Sequence, residues 1–479
     1  MSTRTLAHYI NGRWEAAEAA FDSLNPSDTR DVVARVPAGD AAVVDAAVRA
    51  ARAAFPAWAS ASIEVRSDVL DRVGSTMLAR SDELGRLMAR EEGKTVSEGV
   101  AEVIRAGRIF KFFGAEALRM RGATVDSPRS NVEIATYREP IGVFGLITPW
   151  NFPLAIPAWK SAPALAFGNT VVMKPSELTP ALAVAMTEII HDAGVPPGVF
   201  NLVLGLGAAG GALSAHPEVD GISFTGSQAT GARVANAALA HQARFQLEMG
   251  GKNPLVVLDD CDFDRAVQCA LDGAFFASGQ RCTASSRLIV TEGIHDRFVD
   301  ALAARVAALR VGDALDAQTQ MGPVASQAQL DKSLAYIQIA TSEGGVCRCG
   351  GGALQLDRPG FYVAPTLISD TQTHMRINNE EVFGPVASVI RVRDYDEALA
   401  TANAGEFGLS AGIVTSSLRH ARHYTRNVRA GMVMVNLPTA GVDYHIPFGG
   451  SRKSSYGSRE QGFAAVEFYT QLKTAYSWS

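Results

Sequence analysis

Cysteine is scarce in this chain, with five residues in 479: Cys261, Cys269, Cys282, Cys347 and Cys349. An odd, sparse set in a chain this long does not make a disulfide framework. Cys347-x-Cys349 is tighter than the usual zinc spacing and has no second Cys/His pair nearby, so no metal site is expected. No apolar stretch reaches the roughly 20 residues that a membrane-spanning helix needs. Met1 to Glu15 is polar and mixed, without the charged-then-apolar order of a secretory leader, so a cytoplasmic location and no membrane partner are expected. Basic residues are scattered and the net charge is −5. No stripe is left for a polyanion, and nucleic acid is excluded as a partner. Internal repeats and low-complexity linkers are also missing.

What is present is length and alternation. The composition is ordinary for a globular protein, 47% hydrophobic and 19% charged, and the length suggests two or three domains. Asn169–Lys174, Phe200–Leu204, Gly221–Thr225 and Phe245–Met249 read as strands. Between them, Thr179–Ala193 reads as a helix, with Thr179 as N-cap, Pro180 at the first helical position and Gly194 just past the end. Gln228–Leu239 is an Ala-rich helix, and a short helical turn is expected near Ala212–Ala215. This alternation predicts an α/β fold, with a parallel sheet covered by helices on both faces. Ligands of such sheets bind beyond the carboxyl ends of the strands. The turns after Lys174, Gly205, Thr225 and Glu248 are therefore where chemistry is expected.

A second βα series begins near Gly250–Gly251. Its strand Asn253–Leu258 is followed by a helix, Phe263–Ala277, a loop, Ser278–Thr283, a strand, Ser286–Val290, and a helix, Asp296–Leu309. Met120–Pro140 reads as a β-hairpin arm around Val132–Tyr137, and Glu467–Ser479 reads as an edge strand. Exposed strands need a partner, so a homodimer or homotetramer is expected.

Six segments stand out: Pro149-Trp-Asn-Phe-Pro153, Lys174-Pro-Ser-Glu177, Phe224-Thr-Gly-Ser227, Leu247-Glu-Met-Gly-Gly-Lys252, Gly279-Gln-Arg-Cys282 and Glu380-Glu-Val-Phe-Gly-Pro385. In this order they closely resemble the aldehyde dehydrogenase superfamily, and the resemblance runs from about Tyr9 to about Lys473. It implies oxidation of an aldehyde to a carboxylic acid with NAD or NADP, through a cysteine thiohemiacetal and thioester. The implied division is a Rossmann-like cofactor domain (1–119 and 141–249), an α/β catalytic domain (250–464) and a small β oligomerisation arm (120–140 and 465–479).

A thiolate is the strongest side-chain nucleophile at neutral pH. Most free cysteines are buried structural thiols, and four of the five are read that way. Cys282 differs in lying in a loop led by Gly279, before a strand. Arg281 beside it could favour the thiolate. No His is close in sequence, which argues against a Cys–His protease. By the resemblance Glu248 is the base for the water that cleaves the thioester, and a carboxyl near apolar residues has a raised pKa suited to that task. Gly250 and Gly251 would let the backbone turn sharply and leave space. Asn151 would stabilise the oxyanion together with the Cys282 backbone N–H, and Lys160 would tune the surroundings of the cysteine.

The Gly205-x-Gly207-x-x-Gly210 run looks like a dinucleotide fingerprint and is weak by itself. By resemblance the phosphate turn is instead Phe224-Thr225-Gly226-Ser227, which opens a helix. Lys174, Ser176 and Glu177 would meet the adenosine ribose. Glu177 leans the choice toward NAD, while Lys174 leaves NADP open. Glu381 and Phe383 would hold the nicotinamide ribose and ring, and Thr148, Pro149, Trp150, Leu247 and Gly250 complete the cofactor set.

Asn436–Gly450 and Ser454–Gly462 resemble bacterial α-ketoglutaric semialdehyde (2,5-dioxovalerate) dehydrogenases. Succinic semialdehyde dehydrogenases often carry arginines where this chain has Trp159 and Phe276, so their carboxylate clamp is not expected here. Arg281, Arg452 or Arg459 could serve an acidic tail, whereas Trp159 and Phe276 also suit an apolar or aromatic aldehyde. Thr439 and Phe448 complete the expected substrate set. Two alternatives stay open: a CoA-acylating semialdehyde dehydrogenase, disfavoured by Glu248, and a non-enzymatic relative, disfavoured by the joint presence of Cys282, Glu248 and Asn151.

Overall fold

In the first of two large sheets, the strand written earliest in the parallel series sits in the middle. The computed structural model describes residues 3–478; residues 1–2 and 479, placed above in the first domain and the arm, lie outside the described residues. This eight-stranded sheet has at its centre Val143–Ile147. On one side run Thr170–Lys174 and Phe200–Leu202, and on the other Gly221–Thr225 and Arg244–Glu248, all parallel. The chain therefore reverses its direction of travel across the sheet between Val143–Ile147 and Gly221–Thr225. Helices on either side of such a switch point leave a crevice at the carboxyl ends of the two strands.

The edges of this sheet are antiparallel. The hairpin His8–Ile10/Arg13–Glu15 closes one side. The two-residue strand Ser455–Tyr456 closes the other against Leu247–Glu248. Its position in the sequence groups Ser455–Tyr456 with the second domain; in space it belongs to the first sheet.

The second sheet has seven strands. Pro254–Val257 pairs in parallel with Arg287–Thr291 on one side and Ser410–Val414 on the other. Val386–Val392, Thr366–Ser369 and Met432–Val435 extend it in parallel, and the antiparallel Val346–Cys349 ends it. The central strands of both sheets are buried on both faces, which is why they read as continuous apolar runs.

Three boundaries differ from expectation. The helix expected near Ala212–Ala215 begins at Gly207 and runs to Ser214. Its glycine-rich first turn carries little apolar pattern. The helix Phe263–Phe275 stops short of Ala277, because Ala277 and Ser278 take positive φ. The arm is a three-stranded antiparallel sheet, with Val132–Pro140 between Ala123–Asp126 and Thr470–Trp478. Its last strand starts at Thr470 and not at Glu467, since Val466–Tyr469 forms a helical turn. Among the described residues no helix is long and apolar enough to cross a membrane.

Candidate active site

The crevice at the switch point holds a cavity of about 430 Å³. Thr148, Pro149 and Trp150 line it from one strand end, Lys174, Ser176 and Glu177 from the next, and Phe224 to Ser227 from a third, with Gly207 and Gly210 below. The hydroxyls of Thr148 and Thr225 are buried there without a protein partner. Ser227 caps the helix Gln228–Ala240, accepting from the Thr230 amide, so a helix N-terminus faces the cavity. Burial lowers the pKa of Lys174, whose ammonium is only 3.5 Å from Glu177 Oε2. Orphan hydroxyls, a loosely paired cation and a helix N-terminus fit the phosphates and ribose of a dinucleotide.

A second cavity of about 190 Å³ shares Pro149, Trp150 and Thr225–Ser227 with the first. Cys282, Asn151, Gly250, Glu381 and Phe383 line it. The cleft therefore runs from the adenosine end to the thiol. Phe383 has φ +63°, a strained backbone for a bulky residue, and its ring meets Trp150 edge-on at 5.4 Å. Glu381 Oε1 accepts from the Gly251 amide at 2.8 Å. A Cβ on Gly250 would lie 2.2 Å from Glu381 Oε2. Neither Gly250 nor Gly251 adopts positive φ; they are needed here for close approach and not for a sharp turn.

Cys282 stands at the amino edge of the second sheet, opposite the carboxyl edge of the first. Asn253 Nδ2 donates to the carbonyls of Cys282 and Ala284, at 2.7 and 2.9 Å. The loop is pinned further back as well. Ala277 N donates to Glu98 Oε1, and Ser278 Oγ to the carbonyls of Gly322 and Pro323. Burial pushes the Cys282 thiol pKa well above its ordinary value, and the charges of Glu381 and Glu248 push it further. The Arg281 guanidinium donates to the carbonyls of Asp272 and Gly273, and although its charge interacts with Cys282 it does not offset the burial of the thiol.

Asn151 Nδ2 donates to the Gln280 carbonyl at 2.9 Å, one turn from the thiol. A buried ion pair absent from the sequence reading supports it. Lys94 Nζ binds Glu102 Oε2 and the Asn151 carbonyl, and lies 3.9 Å from the centroid of the Phe152 ring. Glu102 Oε1 accepts from the Leu154 and Ala155 amides. Glu98, Glu102 and Arg105 share one stripe of the helix Val96–Ala117, spaced i, i+4, i+7. Charged residues on the inward stripe of a helix were the available signal.

Glu248 is buried, and its Oε2 accepts from Ser455 Oγ at 2.6 Å. Its carboxyl pKa is held well above the usual range by burial and by the neighbouring charge of Glu460. Glu460, also unread in the sequence, binds the Lys160 ammonium, Gln246 Nε2 at 2.6 Å and the Trp159 indole at 2.6 Å. Lys160 is thus engaged by Glu460 and Ser223, and its charge bears on Glu248 and not on the thiol.

The remaining residues divide. Trp159 and Phe448 face each other at 5.3 Å, and Cys282 packs against the cluster that contains Phe448. Phe276 and Arg281 line a third cavity of about 350 Å³, with Phe152, Arg105 and Tyr444. Thr439 does not line these cavities; its hydroxyl bonds to the Thr283 carbonyl and the Ser285 hydroxyl beneath the loop. The Leu247 side chain lies in the core with Phe224 and Val234, not against the cleft. Arg452 is drawn away by the carbonyls of Asn403 and Gly405, and Arg459 by that of Gly450. Among the described residues no cluster of His, Cys, Asp and Glu is disposed to hold a metal ion.

A nucleophilic thiol at the end of a dinucleotide cleft defines the class, and the comparisons agree. The chain belongs to the aldehyde dehydrogenase family, whose model matches residues 14–475. It is an NAD(P)-dependent aldehyde dehydrogenase. It is 40% identical to an α-ketoglutaric semialdehyde dehydrogenase of Bacillus subtilis (strain 168) over 98% of both chains. It is 41% identical to a betaine aldehyde dehydrogenase of Rhizobium leguminosarum bv. trifolii, over 98% of this chain and 96% of the other. A crystal structure of Staphylococcus aureus betaine aldehyde dehydrogenase in complex with NAD+ superposes with a TM-score of 0.95 at 35% identity, covering 98% of this chain and 95% of that one.

Proposed function

We propose that the protein oxidises a semialdehyde of the α-ketoglutaric type to the corresponding dicarboxylic acid, with Cys282 as nucleophile. The single observation that carries the mechanism is one cavity lined by Cys282, Asn151, Glu381 and Phe383 and continuous with the dinucleotide cleft. Lys174, Ser176, Glu177 and Thr225–Ser227 would hold the adenosine and phosphate end of NAD(P), and Glu381 and Phe383 the nicotinamide end. Bound there, the cofactor supplies the acceptor for the hydride whose loss turns thiohemiacetal into thioester.

The residues of the chain do the rest. Cys282 Sγ adds to the aldehyde carbon as its proton passes to a water molecule in the cleft. The negative charge that develops on the former aldehyde oxygen is met by Asn151 Nδ2 and the Cys282 N–H. Glu248, with its raised pKa, takes a proton from the water that attacks the thioester. The acid leaves and the thiol is restored.

The substrate class rests on the resemblance to the semialdehyde dehydrogenases and on the two arginines, Arg105 and Arg281, in the mixed-charge wall of the third cavity. A cationic aldehyde such as that in the names of the betaine relatives would meet the same two charges. In this reading the first sheet is the cofactor domain, the second the catalytic domain, and the arm joins copies into a homodimer or homotetramer. A cytosolic setting keeps the thiol reduced.

Cys282→Ala should abolish NAD(P)H formation while leaving NADH binding, followed by fluorescence, near wild type. Undiminished turnover would remove Cys282 from the mechanism. The substrate class is tested by kcat/KM across α-ketoglutaric, succinic, aliphatic and aromatic aldehydes, each with NAD and with NADP.

A further inference from the structure

We propose that Arg105, with Gln461 beside it, is the residue that recognises the anionic end of the substrate. This rests on the semialdehyde reading above. The sequence offered Arg281, Arg452 and Arg459 for the task; the structure puts Arg105 in a better place. It lies on the helix Val96–Ala117 and lines the third cavity together with Phe152 and Phe276. Its guanidinium is 5.8 Å from the Trp159 ring, Trp159 faces Phe448, and Phe448 shares a cluster with Cys282. The aromatic pair thus forms a wall from the thiol to the guanidinium.

The donors are arranged for an acceptor that the protein does not provide. Arg105 Nη1 donates to the Val442 carbonyl, and Nη2 to Gln461 Oε1 at 3.1 Å. Arg105 Nε is buried with no acceptor, and so is Gln461 Nε2. The Nη2–Oε1 bond ties these two free donors side by side. Gln461 has φ +59° and is fully buried, so the strained backbone holds the amide where it is. A buried donor without an acceptor costs about 1–3 kcal/mol. The Arg105 side chain lines the cavity, and it is the group that a carboxylate entering there would meet, with Gln461 behind it. A guanidinium binds a carboxylate with charge-assisted bonds and can do so through two N–H groups.

Of the neighbouring charges, those of Glu102 and Asp443 act on Arg105. Lys94 is neutralised by Glu102, and Glu98 is engaged by the Ala277 amide. Asp443 also lines the cavity, but it is exposed at the rim. Arg281 shares the cavity and supports the same sign of potential, with its Nη2 committed to two carbonyls.

The test compares kcat/KM for α-ketoglutaric semialdehyde and for pentanal, a neutral aldehyde of the same chain length, in the holoenzyme with NAD. Wild type should prefer the anionic substrate. Arg105→Met should lower that preference by roughly 30-fold or more, mostly through KM, as expected for loss of a charge-assisted contact. Arg105→Lys should keep part of it, and Gln461→Leu should lose less than Arg105→Met. If wild type shows no preference, the semialdehyde reading fails. If wild type shows it and Arg105→Met keeps it, that reading stands and the assignment of Arg105 is overturned. Should Arg105→Met not fold, Arg105→Lys decides: an undiminished preference and KM in that variant would overturn the assignment.

Discussion

Cys282 rests as a neutral thiol because burial and two carboxylates, Glu381 and Glu248, all disfavour its thiolate. Arg281 is the cation nearest in sequence, and its charge, bound to backbone carbonyls, does not outweigh them. The same logic of burial governs Glu92, which lies behind the Asn151 turn. Its Oε2 accepts from the Lys94 amide, its Oε1 has no partner, and burial pushes its pKa up to about 8. The folded protein therefore keeps a proton that the unfolded chain sheds near 4.5. Folding takes up a proton across that window, so this carboxyl makes stability fall as pH rises from about 4.5 to about 8. Glu92→Gln removes the effect. Its thermal stability relative to wild type should grow with pH across the window, by at most about 1.4 kcal/mol per pH unit, and level off above it. Melting curves from pH 5 to 9 check this; a constant gap would show that Glu92 is ionised in the folded state.

At the scale of elements, two turns and one helix assemble the site. The Gly250–Gly251 turn exists in this form because Glu381 must come close to the backbone. Gly250→Ala would place a Cβ 2.2 Å from Glu381 Oε2 and displace the carboxylate from the Gly251 amide. The Kd for NADH, from fluorescence titration, should rise by about tenfold, near 1.4 kcal/mol; an unchanged Kd would separate Glu381 from cofactor binding. The strands at the cleft and the motif turns were readable because apolar runs and special turn residues are local signals. Glu460, Lys94 and Gln461 were not. Their roles come from pairings across long sequence separations, such as Lys160–Glu460, which no periodicity reports. The start of the helix at Gly207 was missed because its glycines have low helix propensity and carry no apolar period.

At the scale of the molecule, the arm leaves an apolar ribbon uncovered. Leu472, Tyr476 and Trp478 alternate onto one face of the last strand and are all more than half exposed. Ile134 lies opposite Tyr476 and Val125 opposite Ile134, which continues the ribbon across three strands. Such a patch fits a second copy of the chain. Tyr476→Lys/Trp478→Lys should lower the sedimentation coefficient toward that of a monomer, and an unchanged coefficient would place the interface elsewhere. The strand order has one more consequence. The first sheet receives its outermost strand from Ser455–Tyr456, and the arm its last strand from Thr470–Trp478. A nascent chain leaving the ribosome thus carries Arg244–Glu248 with an open edge until Ser455–Tyr456 has followed it out. The final pairing comes late, and the waiting edge is the place where a chaperone would bind or a wrong strand would add.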